Sequence, residues 1–412
     1  MIRTTSPTRR LVVALAAGAS TVAATAAALA TPATASPAPS AAPAAGTRVP
    51  AAQFAAKAHG NERTCATAAA GYAACLARVV TDRAGKPLAT STPAGYGPAD
   101  LSSAYKLAGT SSGGKTVAIV DAYDAPTAEA DLKVYRAQYG LPACTKANGC
   151  FTKVNQSGGS SLPAADAGWA TEISLDLDMV SAACPDCKIL LVEANSPSFA
   201  NLGAAVNYAA SRGVAAISNS YGGSDSSATS AYDHPGIAIT ASTGDAGYEV
   251  ESPASFKGVV AVGGTSLSTS SNARGWTEKA WSGAGSGCST INAKPSWQTS
   301  ATSCSKKATA DVSAVADPNT GVAVYDSTPY EGSSGWQVYG GTSASAPIIA
   351  SVYALGGNLS GYPASYTWAH SSALNDVTSG SNGSCTTTKW CTAGTGWDGP
   401  TGLGTPNGVS AF

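Results

Sequence analysis

Gly340-Gly341-Thr342-Ser343-Ala344-Ser345-Ala346-Pro347 is the stretch of this sequence best suited to nucleophilic chemistry. A glycine turn lets the backbone approach a substrate closely. The apolar residues from Ile348 read as a helix. Ser343 then sits at or near a helix N-terminus, where free N–H groups and the dipole favour developing negative charge. The same residues would also serve as an ordinary Ser/Thr helix cap. A serine nucleophile needs a base, and the three histidines make poor ones. His59 lies in a Pro/Ala-rich leader, His234 in the turn Tyr232-Asp233-His234-Pro235, and His370 beyond Ser343. Carboxylates are available instead. Trp169-Ala-Thr-Glu172-Ile-Ser-Leu-Asp176 puts Glu172 and Asp176 at i and i+4, on one face of a helix. Like charges at that spacing repel, so a shared proton raises one pKa. The pair could equally form a solvated acidic face. Its largely apolar surroundings point to burial, which such groups tolerate at functional sites. Ser242-Thr243-Gly244-Asp245-Ala246-Gly247 supplies a further acid. Asp245 could be a turn residue, or a carboxylic acid kept neutral to donate to an oxyanion.

These residues need a scaffold, and the chain alternates strand-like and helix-like segments. Strand-like runs are Thr116–Val120, Ile189–Glu193, Ala215–Ser218, Ile237–Ala241 and Val259–Val262. Helix-like segments are Thr127–Tyr139, Trp169–Ala183 and Asn201–Arg212. This alternation predicts an α/β fold with a doubly wound, mainly parallel sheet. Sites in such folds collect at the C-terminal strand ends. Those ends are polar here: Asp121, then Asn219-Ser220-Tyr221-Gly222, then Ser242-Thr243-Gly244-Asp245. Residues 61–94 hold one cysteine pair and read as contributing little core.

Glu172-x-x-x-Asp176, Ser-Thr-Gly-Asp245 and Gly-Gly-Thr-Ser343-Ala-Ser-Ala-Pro occur in that order, and from about Tyr96 to Phe412 the chain resembles the sedolisins, serine-carboxyl peptidases with a subtilisin-like fold. The resemblance implies that Ser343 is the nucleophile, Glu172 the base, Asp176 its hydrogen-bonded partner and Asp245 the oxyanion-hole acid. Asp121 falls where some relatives carry another acid of the same network. It implies hydrolysis of protein or peptide substrates, by internal cleavage or by removal of tripeptides. A secreted binding protein on the same fold is the alternative outside catalysis. A histidine base would be mostly protonated at about pH 4, whereas a glutamate still accepts a proton there, so an acidic optimum is expected. Near the C-terminus, Asp376 and Asp398 lie among turn residues rich in glycine, hard oxygen donors that suit Ca²⁺ or merely cap a loop. The resemblance implies one structural Ca²⁺, held by Asp376 and Asp398 with backbone oxygens of Val377, Gly394 and Gly396. Sedolisins usually carry a long folded pro-domain, for which residues 37–94 leave no room. Tyr221 stands where many relatives have Trp.

Residues 1–36, with Arg3, Arg9 and Arg10 ahead of an apolar run and small residues near Ala33–Ser36, read as a secretory signal peptide. Residues 37–94 read as a Pro/Ala-rich linker and short pro-segment remnant, and 95–412 as a single large catalytic domain. The expected mature protein is secreted, extracellular, soluble and monomeric. Export makes the ten cysteines disulfide candidates. Neighbour pairing is the simplest scheme: Cys65/Cys75, Cys144/Cys150, Cys184/Cys187, Cys288/Cys304 and Cys385/Cys391. Cys184-Pro-Asp-Cys187 follows a helix-like stretch instead of opening one, so it reads as structural. No histidine lies near a cysteine pair to complete a zinc set. Lys+Arg is 24 against 25 Asp+Glu, a net charge of −1 that gives nucleic acid no electrostatic attraction. Charged residues are only 12% of a chain that is 44% hydrophobic, so a large core is covered by a surface that hardly titrates.

Overall fold

The computed structural model describes Arg48 and residues 51–412, so the expected signal peptide and most of the linker lie outside the described residues. The strands are β1 (Gly60–Arg63), β2 (Ala74–Cys75), β3 (Arg78–Thr81), β4 (Thr116–Ala122), β5 (Phe151–Asn155), β6 (Lys188–Ala194), β7 (Ala216–Asn219), β8 (Tyr221–Ser224), β9 (Ala238–Ser242), β10 (Glu251–Ser252), β11 (Val260–Thr269), β12 (Trp276–Ala280), β13 (Gly287–Cys288), β14 (Ala308–Thr309), β15 (Val312–Val315), β16 (Val322–Tyr330) and β17 (Ser333–Gly340). The helices are α1 (Ala51–Ala55), α2 (Pro98–Ala104), α3 (Ala128–Gln138), α4 (Ala167–Ala183), α5 (Phe199–Ser211), α6 (Thr342–Gly356) and α7 (Pro363–Ala369).

The central sheet has the order β12-β11-β9-β7-β4-β6-β5, with β15 also on β11. Every pairing in it is parallel except β11 with β12. All five expected strands are present, the last running on to Thr269, and all three expected helices are found. Strand side chains alternate between faces. In β4, Val117 and Ile119 join the cluster that holds α4 and α6, while Ala118 and Val120 join that of α5. The same alternation turns Asp121 toward the α4 and α6 face. Helix α4 is buried along its length, and its N-terminus is capped by Asp166, whose side chain accepts from Trp169 N.

The five neighbouring cysteine pairs are all bonded. Cys184–Cys187 closes the turn between α4 and β6 as a structural bridge, so its sulfurs are not free to hold a metal.

The expectation of little core in residues 61–94 fails. Leu76, Ala77, Val79 and Val80 are buried. Strand β3 inserts between β1 and β17 in an antiparallel sheet that β16 completes, and β2 adds to β8 and β10 in another. The run Ala73-Ala-Cys-Leu-Ala-Arg-Val-Val80 is short and apolar. Such a run has no periodicity that distinguishes a buried strand from a linker.

Candidate active site

Gly341 caps the start of helix α6 with φ at +94°, a region glycine alone enters cheaply. A Cβ there would also stand 1.9 Å from Leu76 O. Ser343 follows in the first helical turn. Pro347 has no N–H for the Ser343 carbonyl, and Ser220 Oγ sits 3.3 Å from that oxygen. The Ser343 hydroxyl donates to Glu172 Oε2 at 2.8 Å, with Ser220 O a second acceptor at 3.1 Å.

Glu172 and Asp176 face this point from α4, both fully buried. The apolar neighbours that suggested burial in the sequence do enclose them. Ser220 Oγ donates to Asp176, 2.7 and 2.8 Å from its two oxygens. Burial pushes both carboxyls well above the ordinary range. For Glu172 the Asp176 charge adds to the rise, and bonds from Ser343 and Ala77 N oppose it. Asp121 is raised by burial first, then by the charges of Asp176, Glu172 and Glu193. Both Asp121 oxygens and Glu172 Oε1 are buried without an N–H or hydroxyl partner.

Asp245 follows β9 and reaches the start of α6. Thr342 N and Thr342 Oγ1 both donate to its Oδ1, each at 2.8 Å. Its Oδ2 is buried and unpartnered, 2.8 Å from where a Gly341 Cβ would stand. Burial raises this carboxyl to about 6, against the Thr342 bonds and the Arg78 charge. The four expected residues Ser343, Glu172, Asp176 and Asp245 thus surround one point, with Asp121 adjoining the acid pair.

That point is covered by the chain itself, which the sequence did not reveal. Ala74 and Cys75 pair antiparallel with Gly222 and Tyr221 of β8. Leu76 N lies 3.3 Å from Ser220 O and 2.9 Å from Glu172 Oε2. Ala77 N donates to Glu172 Oε2 at 2.7 Å. Beyond it, Arg78 and Val79 pair antiparallel with Gly340 and Tyr339 of β17. Ser343 consequently has no exposed surface. Glu251 is a second residue the sequence reading missed. Its buried Oε2 has no partner and lies 1.9 Å from the place a Gly222 Cβ would take. Burial, then the Asp245 charge, lifts it to about 8. Tyr221 is buried, and its hydroxyl donates to Asn219 Oδ1 at 2.7 Å.

The candidate calcium residues also come together. Gly396 N donates to Asp376 Oδ2 at 3.0 Å, and Gly394 N to Asp398 Oδ2 at 3.1 Å. Asp398 is buried, and burial with the Asp376 charge raises it to about 7, Thr401 and Gly394 opposing. Among the described residues, neither carboxylate is ion-paired, and no hydrogen bond reaches the carbonyls of Val377, Gly394 or Gly396. Two adjoining carboxylates and free carbonyls are a donor set that fits a hard divalent cation.

Residues 163–397 match the model of the subtilase family. Kumamolisin of Bacillus sp. (strain MN-32) is 29% identical over 366 residues, covering 78% of this chain and 63% of its own length. Sedolisin of Pseudomonas sp. (strain 101) is 35% identical over 177 residues, 38% of this chain and 29% of that protein. The chain therefore spans less than two thirds of either relative. Among solved structures, Pseudomonas sedolisin, a serine-carboxyl proteinase complexed with two molecules of pseudo-iodotyrostatin, superposes with a TM-score of 0.65 at 26% identity. That match covers 77% of this chain and 96% of the other.

Proposed function

Because the chain belongs to the subtilase family and, within it, to the sedolisins, we propose that it is a serine-carboxyl endopeptidase acting in acid on proteins and peptides. The observation that carries this reading is the Ser343 Oγ to Glu172 Oε2 bond of 2.8 Å, with the unpartnered Asp245 Oδ2 beside Gly341. Ser343 Oγ attacks the peptide carbonyl carbon while Glu172 takes its proton. The carbonyl oxygen gains negative charge, and protonated Asp245 donates to it from Oδ2. Thr342 holds the other oxygen and so fixes which one faces the substrate. Glu172 then gives its proton to the leaving amine, and the Ser343 ester remains. Water, activated by Glu172, hydrolyses that ester.

Asp176 and Asp121 act on Glu172. Three buried carboxyls do not all ionise. The donors from Ser343, Leu76 and Ala77 converge on Glu172 Oε2, which favours keeping the charge there. Asp176 and Asp121, pushed up by burial, are then the carboxyls that keep their protons.

Internal cleavage is supported by the path of the chain through the cleft. Residues 74–75 lie along β8 on one side of Ser343, and residues 78–79 along β17 on the other. A substrate following that path continues in both directions, which removal of terminal tripeptides does not require. Asp376 and Asp398, with the carbonyl oxygens of Val377, Gly394 and Gly396, would hold one Ca²⁺. It would neutralise the two carboxylates and brace the C-terminal loop. Residues 95–412 make up the peptidase domain, preceded by a leader and the segment that covers the cleft. Five disulfides support work outside the cell. In this reading the protein acts as a monomer.

Digestion of a denatured protein between about pH 3 and 5 tests the proposal, with Ser343→Ala alongside. Internal fragments that vanish in the variant support it. Sequential tripeptides would replace the endopeptidase reading, and traces identical for both proteins, the protein's own chain included, would refute catalysis.

A further inference from the structure

Resting on the peptidase reading, we propose that Leu76–Ala77 is the first bond this site cuts, in its own chain. We propose further that the ring closed by Cys65–Cys75 keeps the cut ends seated, so that the nicked protein stays blocked.

The bond has what a scissile bond needs on every side. Upstream, Ala74 and Cys75 form an antiparallel ladder with β8, and Leu76 N is shared between Ser220 O at 3.3 Å and Glu172 Oε2 at 2.9 Å. The Leu76 carbonyl oxygen lies on the same side of Gly341 as Asp245 Oδ2: a Cβ on Gly341 would stand 1.9 Å from the former and 2.8 Å from the latter. Ala77 N, the amine that must leave, is 2.7 Å from Glu172 Oε2, the oxygen that takes the Ser343 proton. In the first step the Ser343 Oγ–Leu76 C bond forms and the Leu76 C–Ala77 N bond breaks. The proton passes from Ser343 through Glu172 to Ala77 N. Water then hydrolyses the ester, leaving a Leu76 carboxylate, an Ala77 amine and a free Ser343.

The surroundings of the bond then oppose departure. Cys75, next to Leu76, is tied by its disulfide to Cys65. Thr64, the neighbour of Cys65, donates from its N to Ala77 O at 3.0 Å, on the far side of the cut. Directly beyond, Arg63 and Glu62 of β1 pair with Arg78 and Val79 of β3. The ladder of β1 on β3 and the Thr64 bond cross the cut and hold the two parts together, while the disulfide, which lies within the upstream fragment, ties its Leu76 end back to the residue next to that ladder. An amine kept beside the ester competes with water at high effective concentration and can reseal the bond. The segment is a substrate that behaves as an inhibitor, and the disulfide is what keeps its Leu76 end in place.

The test shifts the full-length protein from pH 7 to about pH 4 and reads fragments by mass and N-terminal sequencing. The expected result is a new N-terminus at Ala77 that Ser343→Ala does not produce. The fragment ending at Leu76 co-elutes with the body on native gel filtration and separates in denaturant. In Cys65→Ser/Cys75→Ser the fragment is released, and hydrolysis of an added fluorogenic peptide rises by roughly 10²-fold, the scale a tether supplies. Should the double variant fail to fold, co-elution in the wild type decides: release from the native nicked protein rejects the ring's role. Ser343-dependent hydrolysis of the added peptide while Leu76–Ala77 stays intact, or after a first cut elsewhere, overturns this proposal and leaves the peptidase reading standing. Absence of Ser343-dependent hydrolysis of either bond overturns both.

Discussion

Replacing Asp245 by asparagine separates the donor that the proposed mechanism assigns to the oxyanion from the titration that would switch it off. Thr342 N and Oγ1 both donate to Asp245 Oδ1 at 2.8 Å. In Asp245→Asn the amide oxygen takes those bonds, and the NH₂ group is thereby turned to the Oδ2 side, beside Gly341. Burial raises Asp245 to about 6. The protonated form is the donor, so its help is present below that pH and lost as pH rises through it. Two units higher, about 1% of the protein retains the proton, and the donor's contribution falls about 100-fold. Removing an oxyanion donor outright costs about 10²–10³ in kcat, so Asp245→Ala is expected to be that slow at every pH. Asp245→Asn keeps a donor at every pH, so the wild type's fall above about 6 is expected to disappear from its profile. The assay is kcat on a fluorogenic peptide from about pH 4 to 8 for the three proteins, each carrying Cys65→Ser/Cys75→Ser and acid-treated so that the cut segment leaves the cleft. An Asp245→Asn profile with an unchanged fall near 6, or an Asp245→Ala kcat within tenfold of wild type at about pH 4, would refute the assigned donor.

Glu251, raised by burial from 4.5 to about 8, binds its proton more tightly in the folded protein. Its stabilisation is intact below about 4.5 and lost as pH rises through 8, on the order of 4 kcal/mol by pH 8. Thermal melts should therefore fall from pH 5 to 8 in the wild type and fall less steeply in Glu251→Gln, where the other raised carboxyls still act; parallel curves would count against it. Gly341→Ala places a residue at φ +94° with its Cβ 1.9 Å from Leu76 O, so a loss of about 1–3 kcal/mol from the backbone alone is expected in denaturant titrations. Excess chelator is expected to lower Tm, and Asp398→Asn to remove that response; a chelator-insensitive wild type would argue against the cation.

Much of the site was readable because its signals are local. The i, i+4 spacing of Glu172 and Asp176 places both on one face of α4, and the apolar residues around them enclose that face. The Gly-Gly-Thr-Ser343 turn ahead of an apolar run locates a helix N-terminus wherever it occurs. Strand β4 alternates between faces, and that alternation alone turns Asp121 toward the acids. Residues 73–80 were misjudged because an eight-residue, largely apolar run looks alike as a linker or a buried strand. What decides between these is the set of partners, β8 and β17, which lie far along the chain. Glu251 was passed over because its proximity to Gly222 and Gly244 comes from tertiary packing.

Residue types, helical and strand periods, and the order of the motifs determined the fold class and named Ser343, Glu172, Asp176 and Asp245. Only the closed structure decided that Asp245 Oδ2 stays unpartnered beside Gly341, that Glu251 Oε2 does so beside Gly222, and that Leu76–Ala77 lies against Ser343. The reason is range. Periodicity orients a side chain relative to its own helix or strand, whereas Ala77 N and Glu172 Oε2, 95 residues apart, meet only when the sheets and helices between them have packed.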